Sequence, residues 1–198
     1  MTPPGGSHAV VVGASLAGLL AGRALARHFE KVTILERDDL ASDGPRRGVP
    51  QARHVHVLLR GGLDAVEGLL PGIGSELDGC GVLTDMSSEL WWFHFGVWKL
   101  RFPSGITSFF CDRLALERAI RRRVEAIGNI ELRSGATAEG LLAEGGRVTG
   151  VTVDDPEKPQ IAADLVIDAS GRGSRAPQWL ADLGYPRPEV SEVGVDVG

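Results

Sequence analysis

The run Gly13-Ala14-Ser15-Leu16-Ala17-Gly18 has the spacing of a turn that holds a pyrophosphate against the head of a helix. Each position has a physical task. Gly13 permits the tight turn, a small residue at 15 lets a phosphate approach the outward-pointing N–H groups, and Gly18 lets helix and strand pack closely. Ser15 stands at the second glycine position, where its hydroxyl adds bulk and a possible phosphate donor. Further on, a β-branched run ends in Glu36-Arg37. A carboxylate there accepts hydrogen bonds from ribose hydroxyls and repels a ribose 2′-phosphate. The chemistry predicted is recognition of an adenine dinucleotide.

A strand, a helix and a second strand must position these residues. Residues 8–12 read as a buried parallel strand, 15–28 as a helix with a wide apolar face, and 31–35 as a second strand, together a compact βαβ unit. Residues 54–70 are expected to be helical, stopped by Pro71-Gly72. The stretch 82–110 is aromatic and reads as an antiparallel hairpin or small sheet turning at Pro103-Ser104-Gly105. Its run from Trp91 to Trp98 is expected either to line an apolar pocket or to form that sheet's core. Asp112 caps a helix to about Ile127, 130–133 is a strand, and 140–154 is a hairpin around Gly145-Gly146. Residues 161–169 read as one apolar strand, and 192–198 as the start of another. The fold class is α/β, a Rossmann-like βαβ domain with an inserted antiparallel sheet.

Several motifs in this order carry a family resemblance. The glycine turn, then Gly48-Val49-Pro50-Gln51-Ala52-Arg53-His54-Val55-His56, then Asp112-Arg113-Leu114-Ala115-Leu116-Glu117, resemble group A flavoprotein monooxygenases. Their para-hydroxybenzoate hydroxylase fold is also that of squalene epoxidases and geranylgeranyl reductases. The stretch from Asp164 to Arg175 resembles their second nucleotide-proximal motif. The resemblance implies FAD as cofactor. It implies Gly13, Ala14, Ser15, Leu16, Ala17 and Gly18 at the pyrophosphate, Glu36 and Arg37 at the adenosine ribose, and Ala138 at adenine through its backbone. It further implies Arg113 at the pyrophosphate or ribityl region, Arg53 as a second basic candidate, and Asp168 and Gly171 in the second motif. By the same resemblance, residues 1–80 and 112–190 form the FAD-binding part. Residues 81–111 and 191–198 begin a substrate-binding sheet, and the chain is an N-terminal portion. The implied activity is hydroxylation or epoxidation of an apolar or aromatic small molecule, with NAD(P)H as reductant and O₂ consumed through a flavin C4a-hydroperoxide. Ser170 stands where the family's usual aspartate precedes glycine, as in the reductase, halogenase and epoxidase branches, and the chain contains no Gly-Asp pair.

Composition narrows the remaining classes. A net charge of −5 argues against charge-driven nucleic-acid binding. Cys80 and Cys111, the two cysteines, set neither a disulfide framework nor a zinc spacing and are expected to pack as small apolar groups. No stretch approaches the ~20 apolar residues of a transmembrane segment, and the glycine-broken start is too short for a signal peptide. A cytoplasmic protein is the expectation. No metal site is read, since His54 and His56 diverge at a helix start. His8 and His28 are expected at the surface, and Arg121-Arg122-Arg123 on a solvated helix face. Gly-x-Ser-x-Gly is absent, so hydrolase chemistry is not supported.

Overall fold

The computed structural model describes residues 5–41, 55–77 and 79–195. In chain order it has β1 (Gly6–Val12), α1 (Leu16–Leu25), β2 (Phe29–Glu36), β3 (Val55–Leu58), α2 (Arg60–Leu69), α3 (Ile73–Glu76) and β4 (Gly81–Asp85). There follow β5 (Phe93–His94), β6 (Val97–Trp98), β7 (Thr107–Asp112), α4 (Arg113–Glu125), β8 (Ile130–Ser134), β9 (Ala138–Glu144) and β10 (Arg147–Val153). The described chain closes with β11 (Gln160–Ala162), β12 (Leu165–Asp168) and α5 (Ala176–Asp182).

The central sheet is parallel, in the order β12-β1-β2-β8. Successive β1 side chains enter different cores, as the two-residue period of a strand requires. Ala9 and Val11 pack with Leu19 of α1 and Leu116, Ile120 and Val124 of α4. Val10 and Val12 pack with Leu35, Val151, Val153 and Ile161 on the opposite face, beneath the antiparallel sheet β11-β10-β9. Burial on both faces is why 8–12 reads as a continuous apolar run rather than an alternating one. Each fully buried Val, Leu or Ile contributes roughly 1.5–3 kcal/mol. A second antiparallel sheet, β3-β7-β4, leads into α4, whose N-cap Asp112 accepts from the Ala115 N–H at 2.8 Å.

Five expectations are corrected. Within 54–70, residues 55–58 form a strand, because β7 offers an antiparallel edge that pairs Val55 with Asp112 and Leu58 with Phe109. Helix α2 starts only at Arg60, and His54 lies outside the described residues. The tight hairpin turn in the aromatic stretch is Phe95-Gly96, both at positive φ (53° and 80°), as a two-residue hairpin demands. Pro103-Ser104-Gly105 instead belongs to a loop that the Asp85 carboxylate holds, accepting from the Ser104 N–H and hydroxyl and the Gly105 N–H. The aromatic run is no sheet core: Trp91, Phe95 and Trp98 are 67%, 102% and 62% exposed. Residues 161–169 form two strands in different sheets, because the chain turns at Ala163-Asp164 and the Asp164 carboxylate accepts from the Ser7 and His8 N–H groups. Residues 192–195 form no strand, and 196–198 lie outside the described residues.

His8 is likewise no simple surface residue, whereas His28 is exposed. Its Nδ1 lies 2.7 Å from the Ala162 carbonyl oxygen and its Nε2 2.9 Å from the hydroxyl of fully buried Thr33. A carbonyl only accepts, so Nδ1 carries the proton and Nε2 accepts from Thr33. The neutral ring thereby ties the parallel sheet to β11. Burial lowers its pKa, assisted by the charges of Lys31 and Arg133 and opposed by the Ala162 bond and by Glu131. Burial and the Arg113 charge lower the pKa of His56 as well. Unfolded histidine binds a proton near pH 6.5, so both contributions are complete above that pH and are lost as pH falls toward the native values.

A second loss follows at lower pH. The Asp85 carboxyl is pushed up by desolvation, but hydrogen bonds from Ser104, Ser87 and Gly105 outweigh this and hold it at about 2. Hydrogen bonding to Arg133, then to Lys31, holds Glu131 at about 2 against desolvation. Both stabilise above the ordinary carboxylate range and lose that contribution as pH falls toward 2. Urea midpoints measured from pH 8 to 3 should therefore fall in two stages. His8→Gln should shrink the first stage to the share of His56; an unchanged first stage would contradict the His8 tie between the parallel sheet and β11.

Candidate cofactor site

The glycine turn lies between β1 and α1, and space around it explains its composition. Gly13 has φ +99°, and a Cβ there would lie 2.6 Å from the Ala169 carbonyl oxygen. A Cβ on Gly18 would lie 1.8 Å from the Gly13 carbonyl oxygen, so the helix meets the turn without room for any side chain. The Gly13 N–H donates to the Leu35 carbonyl at 2.7 Å, tying the turn to β2. Ala14 is fully buried, Leu16 packs against the core and Ala17 is exposed.

Glu36, at the end of β2, is 7% exposed and therefore not an ordinary surface glutamate. Its Oε2 accepts from the Ala14 N–H at 2.9 Å and its Oε1 from the Asp38 N–H at 3.0 Å. One carboxylate thus fixes the turn and the chain leaving β2. A cleft of about 230 Å³ opens beside it, lined by Val12, Gly13 and Ser15, by 35–38, by 136–138, and by Ala169, Ser170, Gly173, Arg175 and Trp179. Of the residues expected at the site, Gly13, Ser15, Glu36, Arg37 and Ala138 line this one cleft.

The other described ones do not line it. Arg113, at the start of α4, is buried behind the turn, where its Nη2 donates to the Ser15 hydroxyl at 3.0 Å. Asp168 ends β12, and its carboxylate accepts from the Ser170 N–H (2.9 Å) and from the Ser170 and Ser174 hydroxyls. It therefore holds the short 3-10 turn Gly171–Gly173, and neither Asp168 nor Gly171 lines the cleft. Arg53 lies outside the described residues. Sequence reading did not single out Thr137, Asp38, Arg175 or Trp179 as lining residues, nor Glu117 as the buried partner of Ser15. Only the four-residue spacings Arg113/Glu117 and Arg175/Trp179 hinted at those side-chain pairs. In the second, the Arg175 guanidinium lies 5.6 Å from the Trp179 ring centroid.

A sequence profile described as "FAD binding domain" matches residues 7–183. The chain belongs to that family. This FAD-binding domain is 37% identical over 206 residues to Protein Rv3254 of Mycobacterium tuberculosis (strain ATCC 25618 / H37Rv), a match covering 96% of the chain and 43% of Rv3254. Among solved structures, its fold is similar to that of pqsL from Pseudomonas aeruginosa, described as "a probable FAD-dependent monooxygenase". That match has a TM-score of 0.71 and 16% identity, over 96% of the chain and 48% of pqsL. A second similar fold is 2-methyl-3-hydroxypyridine-5-carboxylic acid oxygenase, with a TM-score of 0.60 and 20% identity, over 84% of the chain and 39% of the oxygenase. The chain thus spans less than half the length of each.

The residues present fit FAD. The first turn of α1 carries no acidic residue, and its N-cap side chain makes no capping bond, so the helix head suits an anion. No helix among the described residues is long and apolar enough to cross a membrane.

Proposed function

We propose that this FAD-binding domain belongs to a monooxygenase that uses NAD(P)H and O₂ to hydroxylate or epoxidise an apolar or aromatic small molecule. The observation that carries the cofactor reading is one cleft with the uncapped head of α1 and the Glu36 carboxylate along its wall. Gly13, Ser15, Ala17 and Gly18 would admit the pyrophosphate, and Glu36 and Arg37 would meet the adenosine ribose. Ala138 would offer its backbone to adenine, and Arg113 and Arg53 would supply positive charge. Asp168 and Gly171 would shape the turn beneath. When bound, FAD supplies the two-electron redox chemistry; the protein's residues bind it, orient it and exclude water.

An apolar substrate is supported by a second surface. A groove beside the sheet β3-β7-β4 is lined by Leu59, Met86, Phe102, Pro103 and Ile106, next to the exposed aromatic hairpin. The names of the similar structures, a monooxygenase and an oxygenase, support the reaction class.

A second reading, a reductase or halogenase, is favoured by Ser170, whose hydroxyl binds Asp168 in the motif variant of those branches. Oxygen uptake by the FAD-loaded protein with NADH or NADPH, coupled one-to-one to oxygenated product from a panel of apolar aromatics, is the expected result. Anaerobic hydride transfer into an alkene would point to the reductase. FAD binding without any turnover would mean that the chain alone is a non-catalytic cofactor module.

A further inference from the structure

Serine is an awkward residue at the second glycine position. As an N-cap it ordinarily turns its hydroxyl inward to accept from N–H groups of the first helical turn, and those are the donors that an approaching phosphate needs. Ser15 is the N-cap of α1 and has the extended backbone of one (φ −85°, ψ −174°), yet its side chain makes no capping bond. Its hydroxyl instead accepts from Arg113 Nη2 at 3.0 Å and donates to Glu117 Oε2 at 3.2 Å.

Both partners lie on α4, one turn apart, and are only 5% and 4% exposed. Arg113 Nη1 lies 2.9 Å from Glu117 Oε2, a buried ion pair. A buried ion pair is weak evidence for stability, because desolvation offsets its attraction. Here its geometry has a specific consequence: the guanidinium supplies what the hydroxyl accepts, and the carboxylate takes what it donates.

We propose that Glu117 is a positioning residue that, with Arg113, draws the Ser15 hydroxyl off the head of α1 and leaves the first-turn N–H groups open to the FAD pyrophosphate. The inference rests on FAD occupying this cleft. It explains how serine serves where the turn otherwise calls for glycine. A glycine needs no such latch.

The test is a cycle of four proteins: wild type, Glu117→Ala, Ser15→Gly and the double variant. FAD affinity is followed by fluorescence quenching, and amide exchange at Ala17 and Gly18 is followed without FAD. Glu117→Ala should weaken FAD roughly tenfold, as the released hydroxyl caps the helix, and should slow exchange at one of those amides. Ser15→Gly, which has no hydroxyl to hold back, sets the reference level of a turn that needs no latch. The double variant should return to the level of Ser15→Gly, in affinity and in exchange. Glu117→Gln, which keeps an acceptor oxygen, should stay within about threefold of wild type and serves if the alanine variant does not fold.

A double variant as weak as Glu117→Ala, or a folded Gln variant tenfold weaker, would reduce Glu117 to a structural residue and overturn the latch. Failure of the wild type to bind FAD would overturn the cofactor reading and the latch's purpose with it, whatever the exchange data.

Discussion

Gly18→Ala is expected to lower stability by roughly 3 kcal/mol and to abolish FAD binding, whereas Gly68→Ala is expected to raise stability by about 0.5–1 kcal/mol. The opposite signs come from space alone. At Gly18 the new methyl would sit 1.8 Å from the Gly13 carbonyl oxygen, and that atom is main chain, so no rotamer change relieves the clash. Helix α1 must shift off β1, which opens the core around Leu19 and moves the helix head away from the turn. Gly68 sits exposed in α2 with nothing within 4 Å of its Cβ position. Urea midpoints of the two variants against wild type measure both effects. A Gly18→Ala protein of native stability would mean that helix and turn are not packed as described.

Glu36→Arg should weaken FAD at least a hundredfold. Hydrogen bonds to a charged group contribute about 1.5–3 kcal/mol each, so loss of the acceptor for both ribose hydroxyls accounts for such a factor. The substitution also strips the Ala14 and Asp38 N–H groups of their acceptor, and an unsatisfied buried N–H costs about 1–3 kcal/mol. Stability and affinity should therefore fall together, with Glu36→Gln falling less in both because its amide oxygen still accepts. Flavin-fluorescence titration alongside urea denaturation separates the two losses. Unchanged affinity in Glu36→Arg would remove the adenosine end of the site.

Much of this was legible in the sequence where local geometry alone decides the residue type. Gly18 is demanded by its contact with Gly13 inside the βαβ unit and Gly13 by the positive φ of the tight turn, and the run 8–12 is apolar throughout because both faces are covered. The element from Asp112 announces itself through its capping side chain. The illegible parts depend on distant partners. Residues 161–169 look like one strand because both halves are apolar, and the break is made by Asp164 binding N–H groups at residues 7 and 8.

Residues 55–58 became a strand only because β7 offers an edge. In the same way, Ser15 reads as a phosphate donor until Glu117, distant in sequence, accepts its hydrogen bond. His8 reads as a strand-end surface residue until Thr33 and Ala162 close around it.

The cofactor reading puts the adenosine end of FAD in the cleft beside Glu36. Titrating the chain with FAD while following flavin fluorescence, with NAD⁺ as competitor, tests it most directly. Saturable one-to-one quenching that excess NAD⁺ does not reverse is the expected result. No quenching, or displacement of FAD by NAD⁺, would contradict it.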